Sequence, residues 1–339
     1  MSKCTEHSPL MKRAVLMLLL ACALWGYSFP VMQLTMDALR GHVARGNASL
    51  QTTGELRELG LRASFLGWRF GLGALVMLLC FRTARDKFSR DEVRGGIQVG
   101  VLFSAGMLCQ ISGLRFILPS VSSLLTGLTV IFTPLAQSLL FKRHVSARAW
   151  LGVALALAGM AVLALPNPGA FADFSVVEKP PIPYLGEWLT VAGALCFTAV
   201  LLSIDHFGKR TNPVHLTTAM FIVTSLTTVL IGAPLCGEAV YRASVWVPLL
   251  HDLKFLLLYG GLLLLSTVLA NYFMYRYQPS VSPTVASVIY CSESIFATLW
   301  SLAFQTEQLS KETTAGGVLI LCALAVTTLG ESSPVEAKV

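Results

Sequence analysis

Hydrophobic residues recur along the chain in ten blocks, approximately 13–36, 65–82, 95–116, 119–141, 147–165, 184–206, 214–236, 253–275, 282–305 and 313–331. At 1.5 Å per helical residue, blocks of about 18 to 25 residues cover the roughly 30 Å of hydrocarbon in a bilayer. The pattern predicts an all-α membrane protein of ten transmembrane helices. Lys12 and Arg13 precede the first block as they would a signal peptide, but the block runs past Trp25 without a convincing cleavage site, and is read as a retained span.

One block is written twice. Pro119-Ser120-Val121-Ser122 recurs as Pro279-Ser280-Val281-Ser282 at an offset of 160, which aligns Thr133 with Glu293. Further on, Ser146, Gly152, Leu155, Leu157, Ala161, Val162 and Leu165 meet Ser310, Gly316, Leu319, Leu321, Ala325, Val326 and Leu329 at an offset of 164. A repeat on this scale sets the architecture. Five spans per copy is odd, so the second copy enters the membrane inverted, as two five-helix repeats over 1–165 and 184–331, a Pro-rich linker at 166–183 and a tail at 332–339.

Charge then supplies orientation. Hydrophobic residues make up 55% of the chain and charged residues only 13%, with a mean hydropathy of +0.68, which excludes an ordinary soluble domain. The net charge of +7 comes without a basic stripe interleaved with aromatics, so nucleic acid is not an expected partner. Of the 25 Lys and Arg, fifteen fall on the side of the N-terminus, among them Arg82, Arg85, Lys87, Lys142, Arg143, Lys209 and Arg276, and nine on the other. Both termini are therefore expected in the cytoplasm of a multi-pass plasma (inner) membrane protein. The turn Lys142-Arg143-His144 is basic and its counterpart Thr306-Glu307-Gln308 acidic, as inversion requires. The long connection Asp37–Ser64 carries the sequon Asn47-Ala48-Ser49.

Polar residues inside the spans are candidates for function. Ser122, Thr126, Thr129, Thr133 and Gln137 share one face of the fourth span, which cannot sensibly meet lipid; it is read as a cavity wall against the alternative of interhelical hydrogen bonds. Pro134 is expected to bend that span. Glu293, halfway along the ninth span, costs about 2.5 to 3.5 kcal/mol by insertion scales if charged, and shares its face with Tyr290. Its readings are a solute-amine contact, a proton-coupling carboxylate or a structural hydrogen bond. Trp25, Gln33, Gln110, Asn271 and Tyr272 complete the expected solute-binding set. Arg69 is placed near the outer end of the second span, where its guanidinium snorkels to the interface. Gly67/Gly71 and Gly96/Gly100 have the small-xxx-small spacing of helix contacts. The cysteines and histidines form no ligand pattern, so neither a metal site nor a cofactor is expected, and no acid dyad or Ser/His pair within spans suggests an enzyme.

Ala21-Cys22-Ala23-Leu24-Trp25-Gly26, Trp68-Arg69-Phe70, Gly113-Leu114-Arg115-Phe116 with Ser120-Val121-Ser122, Ser292-Glu293-Ser294 and Thr306-Glu307 follow one another in an order similar to the EamA-type, ten-helix members of the drug/metabolite transporter superfamily. The resemblance covers nearly the whole chain. It departs at Ser294, where that family often has proline, and at Thr133 and Arg143, which stand where glutamates are common. It implies movement of a small polar solute, an amino acid or similar metabolite, without ATP hydrolysis. A secondary or facilitative transporter working by alternating access is expected, with the bilayer and the solute as partners and a homodimer as an open arrangement; a non-transporting scaffold or receptor is the next reading.

Overall fold

The computed structural model describes residues 9–46, 55–117, 119–163, 180–236, 243–304 and 311–329. They are helical, with no strand among them. Eight helices are long and apolar enough to cross a membrane, and two apolar helices, Ala147–Val162 and Thr314–Thr328, are shorter.

The polar stretch between the first two spans does not form the long loop that its charges suggested. Helix α1 (Pro9–Gly46) runs 38 residues, and α2 (Glu55–Cys80) begins about ten residues earlier than the hydrophobic pattern placed it. Arg40 pairs with Asp37 and Glu58 at 3.1 Å each, and Arg62 with Glu58 at 3.0 Å. Charges at i,i+3 and i,i+4 spacing thus satisfy one another on the helices themselves. The sequon Asn47-Ala48-Ser49 lies outside the described residues.

The remaining elements are α3 (Arg90–Gly113), α4 (Pro119–Thr126), α5 (Thr129–Leu139), α6 (Ala147–Leu163), α7 (Leu185–Phe207), α8 (Pro213–Cys236), α9 (Ala243–His251), α10 (Leu253–Gly261), α11 (Ala270–Tyr277), α12 (Pro283–Tyr290), α13 (Ser292–Ala303) and α14 (Lys311–Leu329). A π-helical segment, Leu262–Leu269, joins α10 to α11. The short α9 had no counterpart among the ten hydrophobic blocks.

Helix bounds in the second half repeat those of the first at a constant spacing. Gly113 and Tyr277 end α3 and α11, Pro119 and Pro283 open α4 and α12, and Ala147 and Lys311 open α6 and α14, each pair 164 positions apart. The identical tetrapeptides 160 apart are not equivalent. Pro119 opens a helix, whereas Pro279 lies in the 3-10 turn Gln278–Ser280 and Ser282 caps α12 by accepting from the Val285 N–H. The structural partner of Glu293 is therefore Thr129 and not Thr133. The physical reason is that four residues of turn and cap intervene before the second copy begins to coil.

Both copies are interrupted helices. Between α4 and α5 the chain passes Gly127 and Leu128, whose N–H groups donate to Ser123 and Leu125 at 3.0 and 3.1 Å; between α12 and α13 it passes Cys291. Pro134 is not the site of the break, because it sits inside a continuous α5. The two breaks meet, with the Cys291 Sγ 3.7 Å from the Gly127 carbonyl oxygen.

Packing follows the same pairing. Helix α2 packs on α8, α6 on α14, α3 on α7 and α8, and α1 on α11 and α13. Small residues permit these approaches: a Cβ on Gly67 would stand 2.7 Å from Val229, one on Gly100 2.6 Å from Val223, and one on Gly26 2.6 Å from the Ala297 backbone nitrogen. Leu79, Leu139, Leu140, Leu230 and Leu257 project outward while Thr224, Thr228, Ser266 and Thr267 are fully buried. That distribution suits a lipid surround, in which buried hydroxyls find partners between helices.

Basic residues flank the end of the bundle where α1 begins and α5, α7 and α11 finish, here called the basic end. Arg13 lies 5.8 Å from the Tyr277 ring centroid, His215 Nε2 2.6 Å from the Thr83 carbonyl, and Arg143 2.8 Å from Asp205.

Candidate functional site

A cavity with about 80 Å³ of space open to water lies where the two interrupted helices meet. Helix α1 contributes Trp25 and Ser28, α3 contributes Phe103, Met107 and Gln110, and α7 contributes Phe197, Val200 and Leu201. Thr126, Gly127 and Thr129 flank one break and Tyr290 and Glu293 the other, while Asn271 and Met274 come from α11 and Arg69 from α2. Pairs 164 apart face the same space: Thr126 and Tyr290, Thr129 and Glu293, Met107 and Asn271, Gln110 and Met274.

Arg69 is held in place by the π-helical segment. One extra residue in a turn rotates the side chains that follow. Here it presents Thr267 Oγ1 and Ser266 Oγ to Arg69, which donates from Nε at 2.6 Å and from Nη2 at 3.2 Å, with Nη1 at 3.6 Å from the Met32 sulfur. Arg69 is only 3% exposed and does not snorkel. Because α2 starts at Glu55, this residue stands near the middle of the helix and not close to its end. Thr267 in turn donates to the Leu262 carbonyl at 2.9 Å, and Asn271 Nδ2 to the Thr267 carbonyl at 2.8 Å, which leaves Asn271 Oδ1 buried without a hydrogen-bond partner.

Gln110 Nε2 donates to Thr126 Oγ1 at 2.9 Å, and that hydroxyl donates to the Ser122 carbonyl at 2.8 Å, tying α3 to α4 beside the break. Trp25 meets Tyr290 edge to face at 5.6 Å. Tyr290 donates through its hydroxyl to Gln278 Oε1 at 2.9 Å, and Gln278 Nε2 to the Leu201 carbonyl at 2.8 Å. These contacts form the cavity floor toward the basic end. Beyond them Asp205, 6% exposed, accepts from Arg143 at 2.8 Å and from Lys209 at 2.7 Å. Among the described residues Glu293 has no hydrogen-bond or ion-pair partner.

Compared with known proteins, the chain matches the EamA-like transporter family over residues 61–165 and again over 184–329. The chain belongs to the EamA-like transporter family. An uncharacterized transporter of Archaeoglobus fulgidus is 23% identical over 312 residues, covering 92% of this chain and 84% of that protein. A protein of known crystal structure shares the fold at a TM-score of 0.61 and 18% identity, with 94% of this chain and 97% of the other covered. Family and helices together make this an integral, multi-pass membrane transporter.

The family's recurring motifs acquire physical roles in this EamA-like chain. In Trp25-Gly26 the indole lines the cavity, and the glycine lets α13 cross α1 at backbone contact. Trp300 Nε1 seals that crossing by donating to the Ala23 carbonyl at 2.9 Å. In Gly113-Leu114-Arg115-Phe116 the glycine ends α3 against α7, where a Cβ would stand 2.8 Å from the Gly186 carbonyl.

Of the residues expected to bind solute, Trp25, Gln110, Thr126, Thr129, Asn271, Tyr290 and Glu293 line the cavity. The other four do not. Gln33 lines a smaller recess with Met32, Met36 and Asp37. Tyr272 packs on Phe81 at 5.4 Å. Ser122 and Thr133 are fully buried with hydroxyls that have no hydrogen-bond partner. The polar stripe of the fourth span is thus shared out: Thr126 and Thr129 face the cavity, while Gln137 accepts from Thr284 across the helix interface. At Gly127–Leu128 the hydrogen bonds tighten to i→i+3 spacing, which advances the side chains of α5 relative to those of α4. The residues not foreseen at the cavity include Arg69, Ser28 and Phe197. The signal for Arg69 was a basic residue set inside a hydrophobic block, away from its first and last residues.

Proposed function

We propose that this transporter moves a small polar metabolite, an amino acid or similar, by alternating access through the cavity between the two interrupted helices. Two inverted five-helix repeats, 1–165 and 184–331, form ten transmembrane helices around it, joined by the linker 166–183. The constant 164-residue spacing of helix bounds supports the repeat, as does the pairing of α2 with α8 and α6 with α14, each helix meeting its own counterpart. The two separate family matches agree with it. The basic end faces the cytoplasm of the plasma membrane and holds both termini.

The observation that carries this reading is the cavity itself. Polar and ionisable groups from both halves gather there beside the two tightened turns, and transporters with repeated halves bind solute at such an interface. Rocking of the halves alternates access to the two sides. At the basic end, Arg143–Asp205, Gln137–Thr284 and Tyr290–Gln278–Leu201 join parts that must separate for the site to open there.

Purified protein in liposomes tests the reading by uptake of labelled amino acids, nucleotides and sugar phosphates, with and without an imposed pH gradient. Flux of a member of the panel above protein-free liposomes is the expected result. Stimulation by the gradient identifies proton coupling, and indifference to it leaves facilitation or exchange. No flux across the panel, with solute binding retained, would identify a receptor instead.

A further inference from the structure

The faces of α1 and α3 that line the cavity continue past it. On α1 the stripe runs Trp25, Ser28, Met32, Met36, and on α3 it runs Phe103, Met107, Gln110, Leu114, in the three- and four-residue steps of one helix face. The first members of each stripe border the cavity, whereas Met32, Met36 and Leu114 border a second recess with Gln33 and Ile111. Cavity and recess thus follow one another along a seam between two helices whose main partners lie elsewhere, α11 and α13 for α1, α7 and α8 for α3. The recess stands beyond the cavity from Arg13, so it faces away from the basic end. Asp37 and Arg40 at its rim have side chains 34% and 22% exposed. It holds about 20 Å³ of space open to water, enough for a single water molecule, and Gln33 Oε1, buried without a hydrogen-bond partner, offers that water an acceptor.

The two linings touch through Met32. This side chain borders the recess, and its sulfur lies 3.6 Å from Nη1 of Arg69, which borders the cavity. Toward the basic end the closure is thicker: Tyr290, Gln278 and Leu201 form one layer, and Asp205 with Arg143 and Lys209 forms another beyond it. We propose that the recess is the outer vestibule of the solute path and that Met32 is the gate between vestibule and cavity. The assignment rests on the transport reading and says by which route the cavity meets the outer side. Methionine suits the task, being unbranched with three rotatable bonds, so that it can leave the seam without a backbone shift. Its sulfur is a weak acceptor, and Arg69 keeps its bonds to Thr267 and Ser266 when the thioether departs. Bulk at position 32 therefore closes this end, whereas the basic end opens only by breaking hydrogen bonds and ion pairs.

The test uses the full-length protein in oriented membrane vesicles, with the impermeant reagent 2-sulfonatoethyl methanethiosulfonate added to one face at a time. Ser28→Cys reports on the cavity and Met36→Cys on the recess, each rate being the increment over the chain with its native cysteines alone. Both reporters should react faster from the face opposite the basic end. Combined with Met32→Ala, the Ser28→Cys rate from that face should rise at least five-fold; combined with Met32→Trp, it should fall at least five-fold. The Met36→Cys rate should stay within two-fold in both backgrounds, which separates gating from general loosening of the bundle. Either substitution of Met32 suffices if the other does not fold. A Ser28→Cys rate indifferent to residue 32, or faster from the basic face, overturns the proposal, as does a recess reporter that fails to react from the outer face. Labelling is read without solute, so absence of flux in liposomes refutes the transport reading alone, while flux with a Ser28→Cys rate indifferent to residue 32 refutes the gate alone.

Discussion

The interrupted helices α4–α5 and α12–α13 are the same device with different chemistry. Each opens with proline, coils for eight residues, breaks, and resumes beside the cavity. In the first copy the break is at Gly127 and the cavity-facing side chains are the hydroxyls of Thr126 and Thr129, one of them already engaged by Gln110. In the second the corresponding residues are Tyr290 and Glu293: the tyrosine is tied to the floor through Gln278, and the glutamate has no partner among the described residues. The spacing of helix starts and turns is therefore shared by the two copies, and the side chains differ. A pair of hydroxyls offers donors and acceptors but no charge. An acid in place of one hydroxyl makes the two sides of the cavity chemically unlike.

That contrast can be tested, beginning with the frame common to both copies. Gly26→Val should have the largest effect, because its side chain meets the backbone of α13 at Phe296 and Ala297 and no rotamer relieves the contact. A loss of about 3 kcal/mol or more is expected, read as the yield of monodisperse protein after extraction. A yield equal to wild type would show that α13 can shift without harm.

Next comes the chemical difference. Glu293→Gln should lower flux per folded molecule at least ten-fold, whereas Thr129→Ala at the equivalent position should change it by less than about three-fold, the difference between losing a charged contact and losing a neutral one. Equal losses in parallel counterflow assays would restore the symmetry denied here.

The floor is a smaller effect on stability and a larger one on conformation. Asp205→Asn removes a charge whose partners Arg143 and Lys209 are 57% and 56% exposed, so the cost in stability should not exceed about 1 kcal/mol. The variant should nevertheless open at the basic end, raising the labelling rate of a cysteine placed at Thr129 by an impermeant reagent added on that side. An unchanged rate would show that the ion pairs do not hold the cavity closed.

Thr133→Val should matter least. The hydroxyl is buried without a hydrogen-bond partner, so its replacement by a methyl group should raise stability by about 1 kcal/mol and leave flux unaltered. Loss of flux would return Thr133 to the solute path.

Much of this molecule was legible along the chain. The hydrophobic blocks located the helices because a span in lipid must satisfy its own backbone and cover itself with apolar side chains, a constraint written residue by residue. Intramembrane polar residues marked the cavity for the same reason: seven of the eleven residues expected there line it. The errors were of another kind. Asp37–Ser64 read as a loop because its charges appeared solvent-directed, yet Arg40, Glu58 and Arg62 pair with one another and extend two helices. Ser122 and Thr133 were placed on the cavity because a uniform 100° per residue was carried through the tightened turn at Gly127–Leu128.

The sequence by itself determined a membrane transporter of the EamA-like type with two related halves and an acid inside an apolar helix. Only the tertiary structure decided the register between those halves and the company that Arg69 keeps. Identity of four residues argued for a spacing of 160, but helices are set in register by where they start to coil and what they pack against, and Pro279-Ser280 forms a turn where Pro119 opens a helix. The partners of Arg69, Ser266 and Thr267, lie nearly 200 positions away in a π-helical segment, and no periodicity along α2 could have brought them to it.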